Sequence, residues 1–310
     1  MLKRSSYFFG VLIITAALGL QISAQANPVR PSLRTIIIVT QPDSGVWLDG
    51  VLYGRTSESG ELSISTVPLG RKMIRVRCDG FKEALKPLLP AQSGKVAIPL
   101  TKTTDPAELA FQEAERQTAI DRSKAVEAYE RATKLRPAYA DAYIGLARTL
   151  SEMGETERAE KAIAGARKAK PGFAEASVVE GRLLKSGGED DKAIISYKRS
   201  LKESGGFQPE AYAGLGLIYK ERAEEAGSLG DYVKENANYK EAAKYLALSI
   251  KQLSGAPDSV VMYQVLGLVY EQQKKPAQAI AVYEEFLRFF PSHAEAEAFQ
   301  SFIVQLKKQQ

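Results

Sequence analysis

The chain holds a single cysteine, Cys78, and a single histidine, His293. Nucleophilic catalysis of the Cys–His type needs the two side by side with an orienting third group, and a structural zinc needs four such ligands. With one of each, both chemistries lack parts, and so does a disulfide framework. The acidic pairs Asp190-Asp191 and Glu284-Glu285 are adjacent in sequence. On a helix, neighbours at i and i+1 point apart, which makes poor dyads for general acid–base work. No glycine-rich phosphate loop opens a helix after a strand. The expectation is a non-enzymatic protein with no catalytic, cofactor-binding or metal-ligating residues. With 42 basic and 37 acidic residues in 310, the net charge of +5 is too small to suggest nucleic-acid binding.

Chemistry of recognition is a better prospect, and the elements that would carry it divide the chain in three. Lys3 and Arg4 precede the apolar run 7–20, and Ala24-Gln25-Ala26 follows it. A basic head, a run too short to span a bilayer and small residues at a cleavage site are the three parts of a secretory signal. Residues 1–26 are read as that signal, giving an exported, periplasmic or cell-surface protein, with an uncleaved anchor as the alternative. The lone Cys78 suits an exported chain without disulfides.

Residues 34–101 read as a small all-β sandwich. Thr35–Thr40 is a β-branched run, and Glu61–Ser65 and Lys72–Cys78 alternate with period two. In the last of these, Ile74, Val76 and Cys78 share one face while Arg75 and Arg77 share the other. Asp49-Gly50 and Asp79-Gly80 are turn dipeptides. Pro42-Asp43-Ser44-Gly45-Val46-Trp47-Leu48-Asp49-Gly50, then Gly54 and Thr56, Pro68 and Gly70, and Asp79-Gly80-Phe81 together resemble a PEGA domain, although Pro-Glu-Gly-Ala itself is replaced by Pro-Asp-Ser-Gly. The resemblance implies a β-sandwich accessory module of bacterial or archaeal envelope proteins, serving as a tether, and carries no catalytic residues with it. Arg71, Lys72, Arg75 and Arg77 form a basic cluster with two readings: an envelope-facing surface for anionic glycan or lipid, or the solvated face of an edge hairpin. Trp47 is read as a half-buried strand aromatic, with sugar stacking as the alternative.

Thr101–Thr104 is a short polar junction. Asp105-Pro106-Ala107-Glu108 then offers a cap, a first-turn proline and an acid able to reach back to the cap amide. So short a linker suggests that the two parts keep one relative orientation.

Residues 105–310 repeat. Pro137 and Pro171 lie 34 residues apart, as do Pro257 and Pro291. Ala147, Gly181, Gly216 and Gly267 recur at a small position, Ala125, Ala159, Ala193, Ala242 and Ala279 at a second, and bulky residues such as Tyr143, Tyr197, Tyr212, Tyr263 and Tyr283 recur around them. This pattern resembles the tetratricopeptide repeat (TPR). It implies about five helical hairpins stacked as an all-α superhelix, closed by a capping helix over 294–308. Eight of the 14 tyrosines then belong to repeat cores and form no stacking platform. The first repeat departs from the pattern, with Glu113 at its small position. The fourth carries about 14 extra residues around 222–238, read as a longer helical pair, and either a contact knob or a tolerated insertion.

In the frame of the repeat, the concave groove is lined by Asp141, Ile144 and Arg148, by Glu175, Arg182 and Lys185, and by Lys220. The basic members would form a stripe suited to an acidic or C-terminal peptide. The competing reading pairs them with the neighbouring acids, Glu210 among them. The sequence thus points to an interaction scaffold or adaptor of the cell envelope that binds a protein or peptide partner, with the sandwich orienting or tethering it. Its rivals are a cell-wall or glycan tether acting through the sandwich, and a subunit of a secretion or outer-membrane assembly complex.

Overall fold

The computed structural model describes residues 33–308; the segment read as a signal, 1–26, lies outside them. The described chain is one compact unit. Its first part has seven strands: β1 (Leu33–Val39), β2 (Gly45–Leu48), β3 (Val51–Arg55), β4 (Glu61–Pro68), β5 (Lys72–Arg77), β6 (Ala84–Leu88) and β7 (Gly94–Ala97). One sheet has the order β4-β1-β7, with β1 antiparallel to β4 and parallel to β7; the other is antiparallel in the order β3-β2-β5-β6. Ile36, Ile38 and Ile64 of the first sheet meet Val46, Ile74, Val76 and Leu88 of the second in one buried core. Alternation decides what is left over. With Ile74 and Val76 inside, Arg75 and Arg77 must lie on the outer face of the four-stranded sheet, and Trp47, paired with Arg75 across the strands, lies there too. Cys78 ends the strand outside this core, half-buried, with its thiol 3.6 Å from the Pro42 carbonyl.

Eleven helices follow: α1 (Pro106–Gln117), α2 (Arg122–Leu135), α3 (Ala140–Glu152), α4 (Thr156–Ala169), α5 (Ala174–Ser186), α6 (Asp190–Glu203), α7 (Pro209–Ser228), α8 (Tyr232–Leu253), α9 (Ser259–Gln272), α10 (Pro276–Phe289) and α11 (Ala296–Lys308). They pack as consecutive antiparallel pairs, each pair against the next. The small residues allow the approach: a Cβ on Gly181 would stand 2.8 Å from the Tyr197 ring of the paired helix. Ala125, Ala159, Ala193, Ala242 and Ala279 are fully buried at the matching place on the second helices. Tyr129, Tyr197, Tyr263 and Tyr283 are buried in the repeat cores, whereas Tyr143, Tyr212, Tyr219 and Tyr270 are half-buried.

The fourth pair is the long one. α7 and α8 run past their neighbours and turn at Leu229–Asp231, leaving Leu229, Tyr232 and Val233 exposed at the tip. At the other end of the chain His293 packs edge-on against Phe286, and its Nδ1 accepts the backbone N–H of Glu295. Its place is at the mouth of the last helix, among aromatic rings. Among the described residues no helix is long and apolar enough to cross a membrane.

Candidate functional site

The concave side of the superhelix is met by the chain's own sandwich. The outer face of the β3-β2-β5-β6 sheet is turned toward the groove, and two sets of contacts hold it there.

The first set lies on α1 and α3. Gln112, a buried polar residue of α1, accepts the N–H of Gly80 through Oε1 and donates through Nε2 to the carbonyl of Phe81, both at 2.8 Å. A side-chain amide thereby satisfies one N–H and one carbonyl of the Asp79-Gly80-Phe81 turn, which burial would otherwise make costly. Arg77, with its side chain 13% exposed, pairs with Glu83 of its own domain and crosses to Glu115 at 3.0 Å and Asp141 at 3.5 Å. Its guanidinium also lies over the Phe111 ring, 4.9 Å from the centroid. Burial works against the Arg77 charge, but the three carboxylates outweigh it and raise the pKa. Burial pushes the Glu115 carboxyl up despite Arg77 beside it. Arg116 closes the edge on Asp79 at 2.7 Å.

The second set lies where α8 gives way to α9. The Tyr53 hydroxyl donates to the Leu253 carbonyl at 3.1 Å, and burial pushes its pKa up to about 12. Ser254 Oγ donates to the Thr66 carbonyl at 2.9 Å. Val51 is buried in the same cluster as Leu253 and Met262. Lys72 pairs with Asp49 at 2.9 Å and lies over the Phe207 ring.

These contacts bear on both readings offered for each of two clusters. The cluster Arg71, Lys72, Arg75 and Arg77 is no single envelope-facing surface. Only Arg71 is exposed; Lys72 and Arg77 contact the helical part, and Arg75 packs over Trp47 with its Nε buried and unpaired. Strand alternation specifies only an outer face, and here another part of the chain covers that face. The basic stripe is also cancelled. Arg148 is bidentate to Glu210 at 3.0 and 2.7 Å, and Arg182 joins the same carboxylate. Lys185 pairs with Glu221 at 2.8 Å and Lys220 with Glu224 at 2.6 Å. Burial alone would raise the pKa of Glu210, but the charges and hydrogen bonds of Arg148 and Arg182 prevail and lower it. Asp141 is taken by Arg77, and Ile144 is buried in the helical core. An acidic peptide would find these cations already matched.

What stays open is a cavity of about 580 Å³ between the two parts. The β2–β3 turn, with Trp47, Asp49, Val51 and Leu52, forms one wall; Phe207, Ala213, Leu253, Val261 and Met262 form much of the other. The Arg148–Glu210–Arg182 network also lines it, as do Glu175, in the first turn of α5, and Asp258, at the start of α9. Among the described residues neither Glu175 nor Asp258 has an ion-pair partner, and Asp258 makes no capping hydrogen bond. Asp258 stands at the exposed rim, yet the protein around it, and Glu210 after that, push its pKa up. Among the described residues no group of three or more His, Cys, Asp or Glu side chains is placed to hold a metal ion.

Two sequence families match this helical scaffold, both described as tetratricopeptide repeats, one over residues 121–183 and one over 228–294. Those segments are tetratricopeptide repeats. The helix pairs around and between them continue the TPR superhelix. Among solved structures, yeast Tom70 aligns with a TM-score of 0.53 at 17% identity, over 66% of this chain and 41% of Tom70. A thermophilic TPR protein of Thermus thermophilus, TTC0263, aligns at 0.47 and 16% identity over 64% of this chain and 99% of its own. YrrB, described as a TPR protein with an unusual peptide-binding site, aligns at 0.39 and 17% identity over 64% of this chain and 94% of its own. At such identities the likeness is one of fold. No curated protein sequence matches the chain.

Proposed function

We propose that the protein is an exported, non-enzymatic adaptor of the bacterial cell envelope. Its TPR superhelix takes a protein or peptide partner, and its PEGA-like sandwich fixes the orientation in which that partner is presented. The observation that carries this reading is the docking of the sandwich at two places far apart on the superhelix, through Gln112 and Arg77 at one and Tyr53 and Ser254 at the other. Two separated attachments remove the hinge freedom expected of two domains joined by a short linker. A rigid, preformed surface also loses little entropy when it binds. The Lys3–Ala26 segment supports export, and the residues from Pro42 to Phe81 support the PEGA-like assignment. A tether acting through the basic cluster loses support, since Lys72 and Arg77 are engaged with the superhelix.

The test is affinity capture from envelope extract on residues 27–310, before and after protease treatment of the extract. Stoichiometric retention of a protein, abolished by the protease, is the expected result. Retention that survives the protease would replace the adaptor with a glycan or lipid tether.

A further inference from the structure

The charges of the groove pair off unevenly. Every basic side chain that the repeat frame places there has a carboxylate: Arg148 and Arg182 share Glu210, Lys185 has Glu221 and Lys220 has Glu224. Two acids on the same cavity, Glu175 and Asp258, have no such partner among the described residues. Arg148 and Arg182 are two cations on the one Glu210 carboxylate, so, apart from the Asp49–Lys72 pair, three acids face two bases and the cavity carries one negative charge in excess, opposite in sign to a count of residues along the groove.

The walls add a second requirement. Trp47, Val51, Leu52, Phe207, Val261 and Met262 give them an apolar and aromatic part beside the charged one. Leu52 is 38% and Val261 56% exposed in the uncomplexed protein. A volume of about 580 Å³ falls within the size of ordinary ligand clefts, ~300–1,000 Å³. The side chains that combine an apolar stem with a cationic head are lysine and arginine, which lie along apolar surface and present their charge at the end.

We propose that this cavity, between the β2–β3 turn and helices α5, α7 and α9, is a binding site for an extended peptide segment carrying lysine or arginine between apolar residues. Its stems lie against Trp47, Leu52 and Val261, and its cations meet Glu175 and Asp258. The inference rests on the adaptor reading and specifies the chemistry of the segment the adaptor takes. Each of the two acids also sits at a helix start, where the dipole favours a carboxylate without any ligand. That simpler explanation predicts no binding at all, so the two separate cleanly.

Trp47 is the only tryptophan in the chain, so its emission reports directly on occupancy. The probe is a tryptophan-free octapeptide of alternating leucine and lysine, titrated into the protein, with a leucine–glutamate peptide of equal length as counterpart. Saturable change with the lysine peptide alone is expected. The double variant Glu175→Gln, Asp258→Asn should bind at least tenfold more weakly while keeping its circular dichroism. Val261→Lys, at an exposed wall position, should block binding by placing a cation in the site. Equal or tighter binding of the glutamate peptide, no response to either peptide, or a double variant that binds like the parent would overturn the proposal. If a protease-sensitive partner is captured while the lysine peptide leaves Trp47 unchanged, the adaptor stands and the cationic site falls. If the lysine peptide binds through the two acids but no protein is captured, the reverse holds.

Discussion

At α1 the sandwich meets the superhelix through charge and a buried amide; at the α8–α9 corner it meets it through two backbone carbonyls and the apolar contact of Val51. Arg77 gathers Glu83, Glu115 and Asp141 in a half-buried setting, where each ion is short of water and the geometry must be kept intact. Tyr53 and Ser254 each spend one hydroxyl on a carbonyl, contacts that do not depend on any partner's protonation. The first attachment is the more vulnerable to a single substitution, since loss of Arg77 leaves two carboxylates without their cation. At the second, charge is confined to the Lys72–Asp49 pair, and the hydrogen bonds that cross to the helices are uncharged.

The comparison breaks most sharply at Arg77. Arg77→Met leaves Glu115 and Asp141 without their cation and should cost about 3 kcal/mol in a denaturant melt. Hydrogen exchange should quicken in α1 while the α8–α9 corner keeps its protection. A melt within error of the parent would mean that the cluster contributes no net stability. Next in size is Gly255→Ala. Gly255 has φ +75, and a Cβ there would lie 2.9 Å from Thr66 Cγ2, so strain and overlap fall on the same atom. A loss of ~2 kcal/mol, localised by exchange to the corner, is expected. Tyr53→Phe should cost only ~1 kcal/mol, the ordinary worth of one hydrogen bond. A larger loss would show that the corner, too, depends on one contact.

Acid should sharpen the comparison by acting with opposite sign at two carboxylates, and this is the smallest effect. The Glu115 pKa is raised in the folded protein, so the fold takes up that proton before the unfolded chain does, and its contribution to stability grows as pH falls through the raised value. The Glu210 pKa is lowered. Its contribution is complete above the unfolded value, ~4.3, and is lost as pH falls through the folded one. Glu115→Gln should flatten the upper part of a stability profile, and Glu210→Gln the part below that value. If each variant reproduces the parent's profile, neither shift affects stability.

Much of this was legible in the residues. Asp105 caps α1 through the Ala107 N–H as its type suggests, although Glu108 turns to Thr103 and to the N–H of Glu83 in place of the cap amide. The fourth repeat's extra residues lengthen two helices with a turn at Leu229–Asp231, because Gly230 allows the reversal and Asp231 caps the restart. The site was less legible. Arg75 and Arg77 could be assigned to an outer face from alternation alone, but alternation cannot say whether water or protein lies beyond it. Two signals did point to the covering. Gln112 stands within the apolar stripe of α1, where a polar residue needs a partner, and Trp47 stands on a strand face that also carries Arg75 and Arg77. The repeat frame offers the pairing of groove cations with Glu210 as one of two readings; the Lys185–Glu221 pair, which joins α5 to α7, it does not offer.

The span between Tyr53 and Leu253 has a consequence for how the molecule is made. The sandwich emerges first from the ribosome, and its contacts with α1 close a loop of some tens of residues. The Tyr53 contact closes one several times longer, which costs about 1.5 kcal/mol more in chain entropy if it forms alone. It forms readily only after the first four repeats have stacked and carried Leu253 into place. A chain interrupted before α8 therefore leaves Val51 and Tyr53 uncovered, and closure of the corner depends on the first four repeats being in place.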